Sequence, residues 1–362
     1  MDFRTRRILF GTPFFMIYEF FTLKYLSNLF VSFNDLYLIP VIILLEATRI
    51  IPTFTERNKS TKMGRFLSTF YGVYEWFLVM FLFYLILMHI IGLVTTQPRI
   101  IYVVSLGILI LIGVYAYIHA HKIIVKKRIL EFDDVDAEYN IIHLSDVHFG
   151  SIRHKEIIED IADNIRKLQD NCDIAVISGD LADGSCVVEE NDFNALKDID
   201  IPVIFTSGNH DYYPGLESVH RACENANIIV LENEVYEFKD LNIYGLSYSF
   251  GDIPMPTLSQ LKEVIKEDKI NIINYHVPYS WDEFSAIGFD IQLSGHTHGG
   301  QFYPVTFFGK LLYEGHNMGL FKKSISSKNR YLHVTTGVGS MDIPMRWGTD
   351  SEMVILKIVK SN

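Results

Sequence analysis

The chain has 362 residues, long enough for one large domain or two ordinary ones, which excludes a short peptide or a disulfide-stapled mini-protein. Apolar residues make up 49% of the sequence and aromatic residues 14%, a composition that excludes a disordered chain. The formal net charge of −11 at pH 7 is unevenly distributed along the chain.

The charge divides the chain into two regions. Residues 1–128 contain 14 Lys and Arg against 6 Asp and Glu, a net charge of +8, whereas residues 129–362 contain 18 against 37, a net charge of −19. This change predicts a domain boundary, with a helical transmembrane region and a basic linker over residues 1–128 and a second domain over residues 129–362. The acidic charge of the second region argues against nucleic acid as a partner. The three cysteines form no CxxC pair and indicate neither a disulfide framework nor a cysteine zinc site.

Four apolar stretches precede residue 125. They cover residues 8–31, 36–51, 66–94 and 100–120. The last two have the length and composition of membrane spans, since the third contains only Glu75 and His89 as polar breaks and the fourth has no formal charge. The first two contain charged residues, so they either cross the membrane as well or form a helical hairpin in the interface. We therefore predict an integral, multi-pass membrane protein with about four transmembrane helices.

Basic residues predict which side of the membrane the second domain faces. If all four stretches cross, Lys and Arg concentrate at the amino terminus, in the loop of residues 57–65 and after residue 121. This positive-inside pattern predicts that both ends and the large domain are cytoplasmic, and loss of one span would reverse the orientation unless the amino terminus also moved. Arg6 and Arg7 also suggest a twin-arginine export signal, but such a signal is one short apolar segment and is not followed by further spans.

From Tyr139 onward, short apolar runs alternate with mixed helical stretches such as residues 154–169, which indicates strands alternating with helices. Five of the apolar runs end at side chains that commonly bind metals. These side chains are Asp146 and His148, Asp180, Asn209, His276, and His296 and His298. Because ligands bind outside the carboxyl ends of strands in helix-flanked sheets, five such strand ends can converge on one crevice.

The seven side chains form a carboxylate, amide and imidazole set suited to Mn, Fe, Zn or a similar divalent ion. Seven ligands are too many for one tetrahedral ion, whereas sharing one carboxylate yields two sites of four ligands each. Asp180 is the expected bridge because it stands alone after its strand. Two such ions activate a shared water as hydroxide and neutralise phosphate oxygens during in-line attack, so the set predicts phosphoester hydrolysis.

The order Asp-x-His, Gly-Asp, Gly-Asn-His-Asp, His and Gly-His-x-His, over about residues 139–357, resembles the calcineurin-like metallophosphoesterase superfamily. The resemblance implies an α/β fold in which a β-sandwich is flanked by helices and preceded by the transmembrane region. It implies two metal sites, one formed by Asp146, His148, Asp180 and His298 and the other by Asp180, Asn209, His276 and His296. It also implies that His210 faces the substrate while Asp211 orients the His210 ring, and an imidazole held by a carboxylate suits stabilisation of a phosphorane or protonation of the leaving oxygen.

Three later segments resemble the membrane-associated bacterial branch of that superfamily. They are residues 299–301 (Gly-Gly-Gln), 337–339 (Gly-Val-Gly) and 343–346 (Ile-Pro-Met-Arg). In that branch an acidic residue and an apolar strand follow, which Glu352 and residues 353–358 match, although Asp350 and Ser351 stand where a proline is usual. Arg346 is interpreted either as a phosphate contact or as half of a surface salt bridge.

The sequence therefore predicts a membrane-anchored phosphoesterase with two divalent ions that acts on a phosphoester or pyrophosphate and contacts membrane lipids. Because the enzyme is tethered at a bilayer and some relatives hydrolyse a UDP-diacylglucosamine pyrophosphate bond, a lipid-linked phosphate is the first candidate substrate and a soluble phosphodiester the second. The alternative is a metal-binding membrane receptor or scaffold without turnover. His210 and Asp211 argue against that alternative, because neither is needed to complete the eight coordination bonds. The sequence does not predict an oligomeric state.

Overall fold

The amino-terminal part of the chain is a group of four helices. The computed structural model describes residues 3–30, 34–96, 98–133, 135, 137–250 and 254–361. The four helices are α1 Phe3–Phe30, α2 Leu38–Thr55, α3 Lys62–Val94 and α4 Arg99–Ala120. Thr61 caps α3, because its hydroxyl accepts a hydrogen bond from the amide of Gly64 at 3.0 Å. Residue 31 of the first predicted stretch, and residues 1, 2 and 362 of the predicted domains, lie outside the described residues.

Three helices in the described part of the chain are long and apolar enough to cross a membrane. They cover Asp35–Thr55, Lys62–Val94 and Arg99–Ala120. The sequence predicted about four transmembrane helices, and the one that does not have this length and composition is α1. Although α1 has 28 residues, it carries Arg6, Arg7, Glu19 and Lys24, and charged side chains make transfer into hydrocarbon costly.

The first helix nevertheless extends along the other three. Near its start, Arg7 forms an ion pair with Asp342 of the carboxyl-terminal region at 3.1 Å. At its other end, the carbonyl of Phe30 accepts a hydrogen bond at 2.9 Å from Arg99, the first residue of α4. Polar contacts near both of its ends therefore hold α1 beside the other helices, although it carries more charged residues than they do in the apolar stretches.

The rest of the described chain forms two six-stranded sheets and five helices. The strands are β1 Ile123–Phe132, β2 Tyr139–Leu144, β3 Ile174–Ser178, β4 Val203–Thr206, β5 Ile229–Val230, β6 Glu234–Phe238, β7 Leu241–Leu246, β8 Ile270–Tyr275, β9 Ile291–Ser294, β10 Gly319–Ile325, β11 Lys328–Val334 and β12 Ser351–Lys360. The helices are α5 Lys155–Leu168, α6 Leu216–Asn225, α7 Leu258–Glu263, α8 Trp281–Ile287 and α9 Val305–Leu312. The first sheet has the order β1-β12-β2-β3-β4-β5 and the second has the order β10-β11-β9-β8-β7-β6.

Parallel strands form the centre of both sheets. Strands β2 to β5 run parallel in the first sheet, and β7, β8, β9 and β11 run parallel in the second. Buried apolar side chains from both sheets, including Ile141, Val176, Ile243 and Ile272, form one core. Helices α5 and α6 pack on the first sheet, and α7 and α8 pack on the second. The predicted α/β fold, a β-sandwich flanked by helices, is confirmed.

The predicted boundary after residue 128 falls within strand β1. This strand is parallel to β12, and Lys126 lies opposite Val354. The basic residues that the sequence analysis assigned to a linker therefore belong to the edge of the first sheet. Leu130 and Phe132 of the same strand are buried, whereas Lys127 and Arg128 are exposed. Exposed basic residues are common on edge strands, so the basic sequence did not indicate that a strand forms here.

Side-chain packing joins the helices to the sheets. The ring of Trp76 in α3 packs edge-on against Phe302, with ring centroids 6.5 Å apart. The amide of Arg346 donates a hydrogen bond to the carbonyl of Ala116 in α4 at 3.0 Å. Trp76, Phe302, Ala116 and Met345 all belong to one buried apolar cluster. The region that contains the sheets therefore packs directly against α3 and α4.

Candidate metal centre

All seven predicted metal ligands lie beyond the carboxyl ends of parallel strands. Asp146 and His148 follow β2, Asp180 follows β3 and Asn209 follows β4 in the first sheet, while His276 follows β8 and His296 and His298 follow β9 in the second. The hydrogen bond from the amide of Gly295 to the carbonyl of His276, at 2.9 Å, joins the last two loops. Residues from both sheets therefore meet at one edge of the sandwich, as the strand pattern predicted.

The loops that carry these side chains have unusual backbone conformations. Positive φ angles of 50–69° occur at five of the seven positions, namely Asp146, His148, Asp180, His296 and His298. Such conformations in residues other than glycine cost on the order of 1 kcal/mol or more each and concentrate at functional sites. Gly208 has a different reason for being glycine, since a Cβ atom there would lie 2.6 Å from the amide nitrogen of Asp180.

The titratable side chains converge into three overlapping groups. These groups are Asp146 with His148 and His298, His148 with Asp180 and His210, and Asp180 with His276 and His296, and within each group one ligand atom per residue lies within 4.8 Å of the others. Nε2 of His276 is 3.1 Å from Oδ2 of Asp180, and Nε2 of His298 is 3.3 Å from Oδ1 of Asp146. His276, which no glycine turn marks in the sequence, is thus among the closest to Asp180.

Two buried polar atoms support the fit of this site to a cation. Oδ1 of Asn209 and Nδ1 of His148 are buried and have no hydrogen-bond partner in the described part of the chain. Leaving a buried polar atom unpaired costs about 1–3 kcal/mol, so such atoms in a native site call for a partner. Carboxylate, amide and imidazole donors without thiolates suit Mn, Fe or Zn, and the residues present therefore fit divalent metal ions.

Burial and mutual contact shift the pKa values of the titratable groups. Burial alone raises the pKa of Asp146, but the neighbouring imidazoles of His298 and His276 outweigh burial and hold the pKa well below its usual range. Burial lowers the pKa of His276, but the carboxylate of Asp180 raises it to about 9. For His296 burial dominates and lowers the pKa to about 4. The two buried carboxylates thus stabilise positive charge between the sheets, which is the electrostatic requirement of a cation site.

The hydrogen bonds of Asp211 correct the role expected for it. Its carboxylate accepts hydrogen bonds from the amides of Asp180, Ala182 and Gly208 at 2.8–2.9 Å. The His210 ring instead places Nδ1 3.3 Å from the carbonyl oxygen of Asp183. The two residues are consecutive in the turn His210–Tyr212, and their side chains diverge, so His210 is half-buried while Asp211 is fully buried beneath the loop. Burial and the nearby Asp180 carboxylate raise the pKa of Asp211.

Arg346 is neither a phosphate contact nor part of a surface salt bridge. It is fully buried, and its guanidinium donates hydrogen bonds to the carbonyls of Thr336 and Gly339 at 2.7 and 2.6 Å. Its Nη2 lies 3.4 Å from Nδ1 of His298, behind the face that His298 presents to Asp146. Arg346 therefore supports a predicted ligand and, through its amide, contacts α4. The Ser145 hydroxyl donates a hydrogen bond to Asp146, a contact that the sequence did not predict because serine before an aspartate carries no distinctive signal.

Known proteins resemble this chain over the region that carries these residues. The sequence profile of calcineurin-like phosphoesterases matches residues 139–300. An uncharacterized metallophosphoesterase of Campylobacter jejuni is 30% identical over 268 residues, which cover 72% of this chain and 70% of that protein. The chain belongs to the calcineurin-like phosphoesterase family. The phosphoesterase profile ends at Gly300 and includes all seven predicted ligands, and the resemblance inferred from their order is confirmed.

Two further members of the calcineurin-like phosphoesterase family differ in how much of their length this chain matches. An uncharacterized metallophosphoesterase of Helicobacter pylori is 28% identical over 246 residues, which cover 66% of this chain and 64% of that protein, slightly less than two thirds. A transmembrane protein with a metallophosphoesterase domain from Danio rerio is 28% identical over 243 residues, which cover 60% of this chain and 53% of that protein. The combination of a phosphoesterase domain with membrane-type helices therefore has a counterpart in a relative.

Proposed function

We propose that this protein is a membrane-anchored phosphoesterase that uses two divalent metal ions to hydrolyse a phosphoester or pyrophosphate bond. The observation that carries the proposal is the position of Asp180, which belongs to two groups of possible ligand atoms, one with His148 and His210 and one with His276 and His296. A carboxylate shared between two groups is what a bridged pair of ions requires.

The proposed metal sites use the seven residues that follow the strands. One site would consist of Asp146, His148, Asp180 and His298, and the other of Asp180, Asn209, His276 and His296. Mn, Fe or Zn are the ions that this donor set favours. When bound, such a pair supplies an activated water and neutralises the charge of the phosphate oxygens.

His210 is proposed to act on the substrate itself. Its Nδ1 faces the carbonyl of Asp183, which accepts a hydrogen bond and therefore keeps a proton on Nδ1. When the ring is an imidazolium, with protons on both nitrogens, Nε2 is the atom that donates a proton to the departing oxygen or stabilises the negative charge of the transition state. Asp211 is proposed as a positioning residue, because its hydrogen bonds to the amides of Asp180 and Gly208 hold the loops that carry Asp180, Asn209 and His210.

Substitution of the shared carboxylate tests this proposal. We expect Asp180→Ala to lose bound metal and to lower turnover of bis(4-nitrophenyl) phosphate on the order of 100-fold or more, because both ions would lose a ligand. The matched control is Asp163→Ala, which removes a carboxylate exposed on α5 and leaves metal content and turnover unchanged. Metal content is measured by elemental analysis of the purified protein. Full activity in Asp180→Ala would contradict the proposal, whereas metal binding without turnover of any phosphoester in the wild type would favour a receptor or scaffold.

A cavity between the helices and the phosphoesterase domain favours a lipid-linked substrate. It has a volume of about 410 Å³, within the range of small-molecule binding sites. Its walls combine Arg49 and Tyr71 of the membrane-type helices with Ser151 and Asp183 of the loops after β2 and β3. Because the carbonyl of Asp183 contacts the His210 ring, the cavity adjoins the proposed metal centre. Such a cavity suits a molecule with an apolar part in the bilayer and a phosphate at the site.

The choice between a lipid-linked and a soluble substrate is open to direct measurement. We expect a higher kcat/KM for phosphate or pyrophosphate esters carrying acyl chains, presented in mixed micelles, than for short-chain esters with the same leaving group. The Asp180→Ala variant provides the background rate for both. Equal or better turnover of the soluble esters would contradict a lipid-linked substrate without affecting the proposed hydrolysis.

The phosphoesterase domain is proposed to face the cytoplasm. The basic loop of residues 57–65 and the basic residues after α4 are separated by α3 and α4, so they lie on the same side whenever both helices cross. The positive-inside argument therefore depends on these two helices and not on whether α1 crosses. Protease cleavage of the domain in inverted membrane vesicles but not in intact cells is the expected result, and the reverse would contradict this orientation.

A further inference from the structure

Helix α9 presents an exposed apolar face. Phe307, Phe308, Leu311 and Leu312 are 64%, 54%, 82% and 70% exposed. The opposite face is buried at Thr306 and Gly309, so the orientation of the helix on the domain is settled by packing. Four large apolar side chains within two turns form a patch of the kind that soluble proteins seldom leave in water. A surface of this kind requires a partner.

The position of α9 relative to α4 indicates which partner covers the patch. Phe302, three residues before α9, packs against Trp76, and Trp76 lies against α4, where a Cβ atom added to Gly113 would be 2.8 Å from the Trp76 ring. The contact between Arg346 and Ala116 lies one turn further along α4. The domain therefore meets α4 at Ala116 and meets Trp76 of α3 beside Gly113.

The part of α4 around residues 111–118 exposes apolar side chains. Leu111, Val114 and Ile118 are 69%, 54% and 66% exposed, so apolar side chains continue outward on α4 beyond the level at which the domain makes contact. If α4 crosses the bilayer, hydrocarbon or the head-group boundary surrounds residues 113 to 118 as well. Val305, the first residue of α9, packs against the same apolar cluster as Trp76 and Ala116, so α9 starts at that level. The lipid that covers α4 is thus adjacent to the exposed face of α9.

We propose that α9 is an interfacial membrane helix whose side chains Phe307, Phe308, Leu311 and Leu312 insert among the lipids of the bilayer that α2, α3 and α4 cross. A short helix with one apolar face and a basic residue is suited to this position, because the stem of Lys310 packs with the apolar groups while its ammonium group reaches the lipid phosphates. The phosphoesterase domain would then contact the membrane surface directly through α9.

The insertion of α9 places the candidate metal centre at the membrane surface. Tyr313 directly follows α9, and its ring meets the His296 ring edge-on with centroids 6.0 Å apart. The group of predicted metal ligands that contains His296 therefore lies beside the inserted helix. This geometry concerns the position of the domain and does not depend on the proposed hydrolysis.

Depth-dependent fluorescence quenching tests this proposal on the full chain in liposomes of phosphatidylcholine and phosphatidylglycerol. An environment-sensitive dye is attached to single introduced cysteines, Leu311→Cys in α9, Leu111→Cys in α4 and the control Val235→Cys on the exposed edge strand β6. Native Cys172, Cys186 and Cys223 are buried and do not compete for the dye. We expect the dye at position 311 to be quenched at least twofold more by a lipid spin label at acyl carbon 5 than by aqueous iodide. The dye at position 111 responds most to a label at carbon 12, and the dye at position 235 responds to iodide alone.

The three positions distinguish the ways in which the proposal can fail. If iodide quenches the dye at 311 as it does at 235, while lipid labels quench the dye at 111, α9 faces water and the proposal is overturned. If neither quencher reaches position 311, a protein surface such as a second copy covers α9, and the proposal is equally overturned. If lipid labels do not quench the dye at 111, the membrane assignment itself fails. Phe307→Cys, one turn earlier on the same face, repeats the measurement should labelling at 311 disturb the helix.

Discussion

At the scale of single residues, neighbouring side chains of the same loop have separate tasks. His210 is half-buried with one ring nitrogen held by the carbonyl of Asp183, whereas Asp211 is fully buried and bonds three amides. The contact of His210 Nδ1 leaves Nε2 free to face the predicted metal ligands. The hydrogen bonds of Asp211 instead fix the backbone of the neighbouring loops. The two residues are therefore expected to affect different measurements when replaced.

The prediction is that Asp211→Ala destabilises the fold while His210→Ala impairs turnover. Replacing Asp211 leaves buried amides without an acceptor, at about 1–3 kcal/mol each, and lowers the midpoint of thermal unfolding. Replacing His210 removes a proton donor and lowers turnover on the order of 100-fold with little change in the unfolding midpoint. Differential scanning fluorimetry and a chromogenic phosphodiester assay measure the two effects. A loss of stability in His210→Ala equal to that in Asp211→Ala would contradict the separation.

At the scale of elements, helix α4 packs through small residues. Gly113, Ala116 and Ala120 are buried along one side of its carboxyl-terminal half, and Leu106 and Leu109 continue that side in the amino-terminal half. Small side chains allow helices to approach closely, which is a common way of packing membrane helices in the absence of a hydrophobic driving force between them. Trp76 of α3 fills the space beside Gly113 and also contacts Phe302, so this side of α4 sets the distance between the helices and the phosphoesterase domain.

We predict that Gly113→Leu disrupts this packing whereas Gly107→Leu does not. A Cβ atom at Gly113 would lie 2.8 Å from the Trp76 ring, but a Cβ atom at Gly107 has no other atom within 4 Å. Overpacking of this kind costs about 1–3 kcal/mol, and it shifts the midpoint of thermal unfolding by several degrees. Both variants are compared with the wild type in the same detergent, by thermal unfolding and by Trp fluorescence. Equal stability of the two variants would show that the side of α4 at Gly113 is not tightly packed.

At the scale of the whole molecule, the candidate metal centre takes its residues from both sheets. Asp146, Asp180 and Asn209 follow strands of the first sheet, and His276, His296 and His298 follow strands of the second. Ions bound by both sets would join the two halves of the sandwich. Metal binding is thus expected to stabilise the fold as well as to supply the chemistry.

Metal removal should therefore lower the stability of the wild-type protein. A ligand present at 100 times its dissociation constant stabilises the folded state by about 2.7 kcal/mol, so chelation is expected to lower the midpoint of thermal unfolding by several degrees. In Asp180→Ala, which lacks the shared carboxylate, the same chelator is expected to have little effect. A wild type that releases its metal without a change in the unfolding midpoint would contradict the linkage of the two sheets by metal.

The sequence by itself determined the features that depend on neighbours in the chain. Runs of apolar residues identified α3 and α4, and the alternation of short apolar runs with polar turns identified the strands that end at Asp146, Asp180, Asn209 and His276. These patterns are local, because hydrophobic periodicity and glycine turns act over a few residues. Their order along the chain also carried the family resemblance.

Only the tertiary structure decided the features that depend on contacts between distant residues. The basic residues that end the region predicted over residues 1–128 belong to an edge strand, because β12, more than 220 residues later, pairs with them. Arg346 is buried because Thr336, Gly339 and the carbonyl of Ala116 surround it, and the exposed face of α9 is apparent only once Thr306 and Gly309 are buried. Burial is a property of the packed chain as a whole, so a residue's type and its immediate neighbours do not specify it.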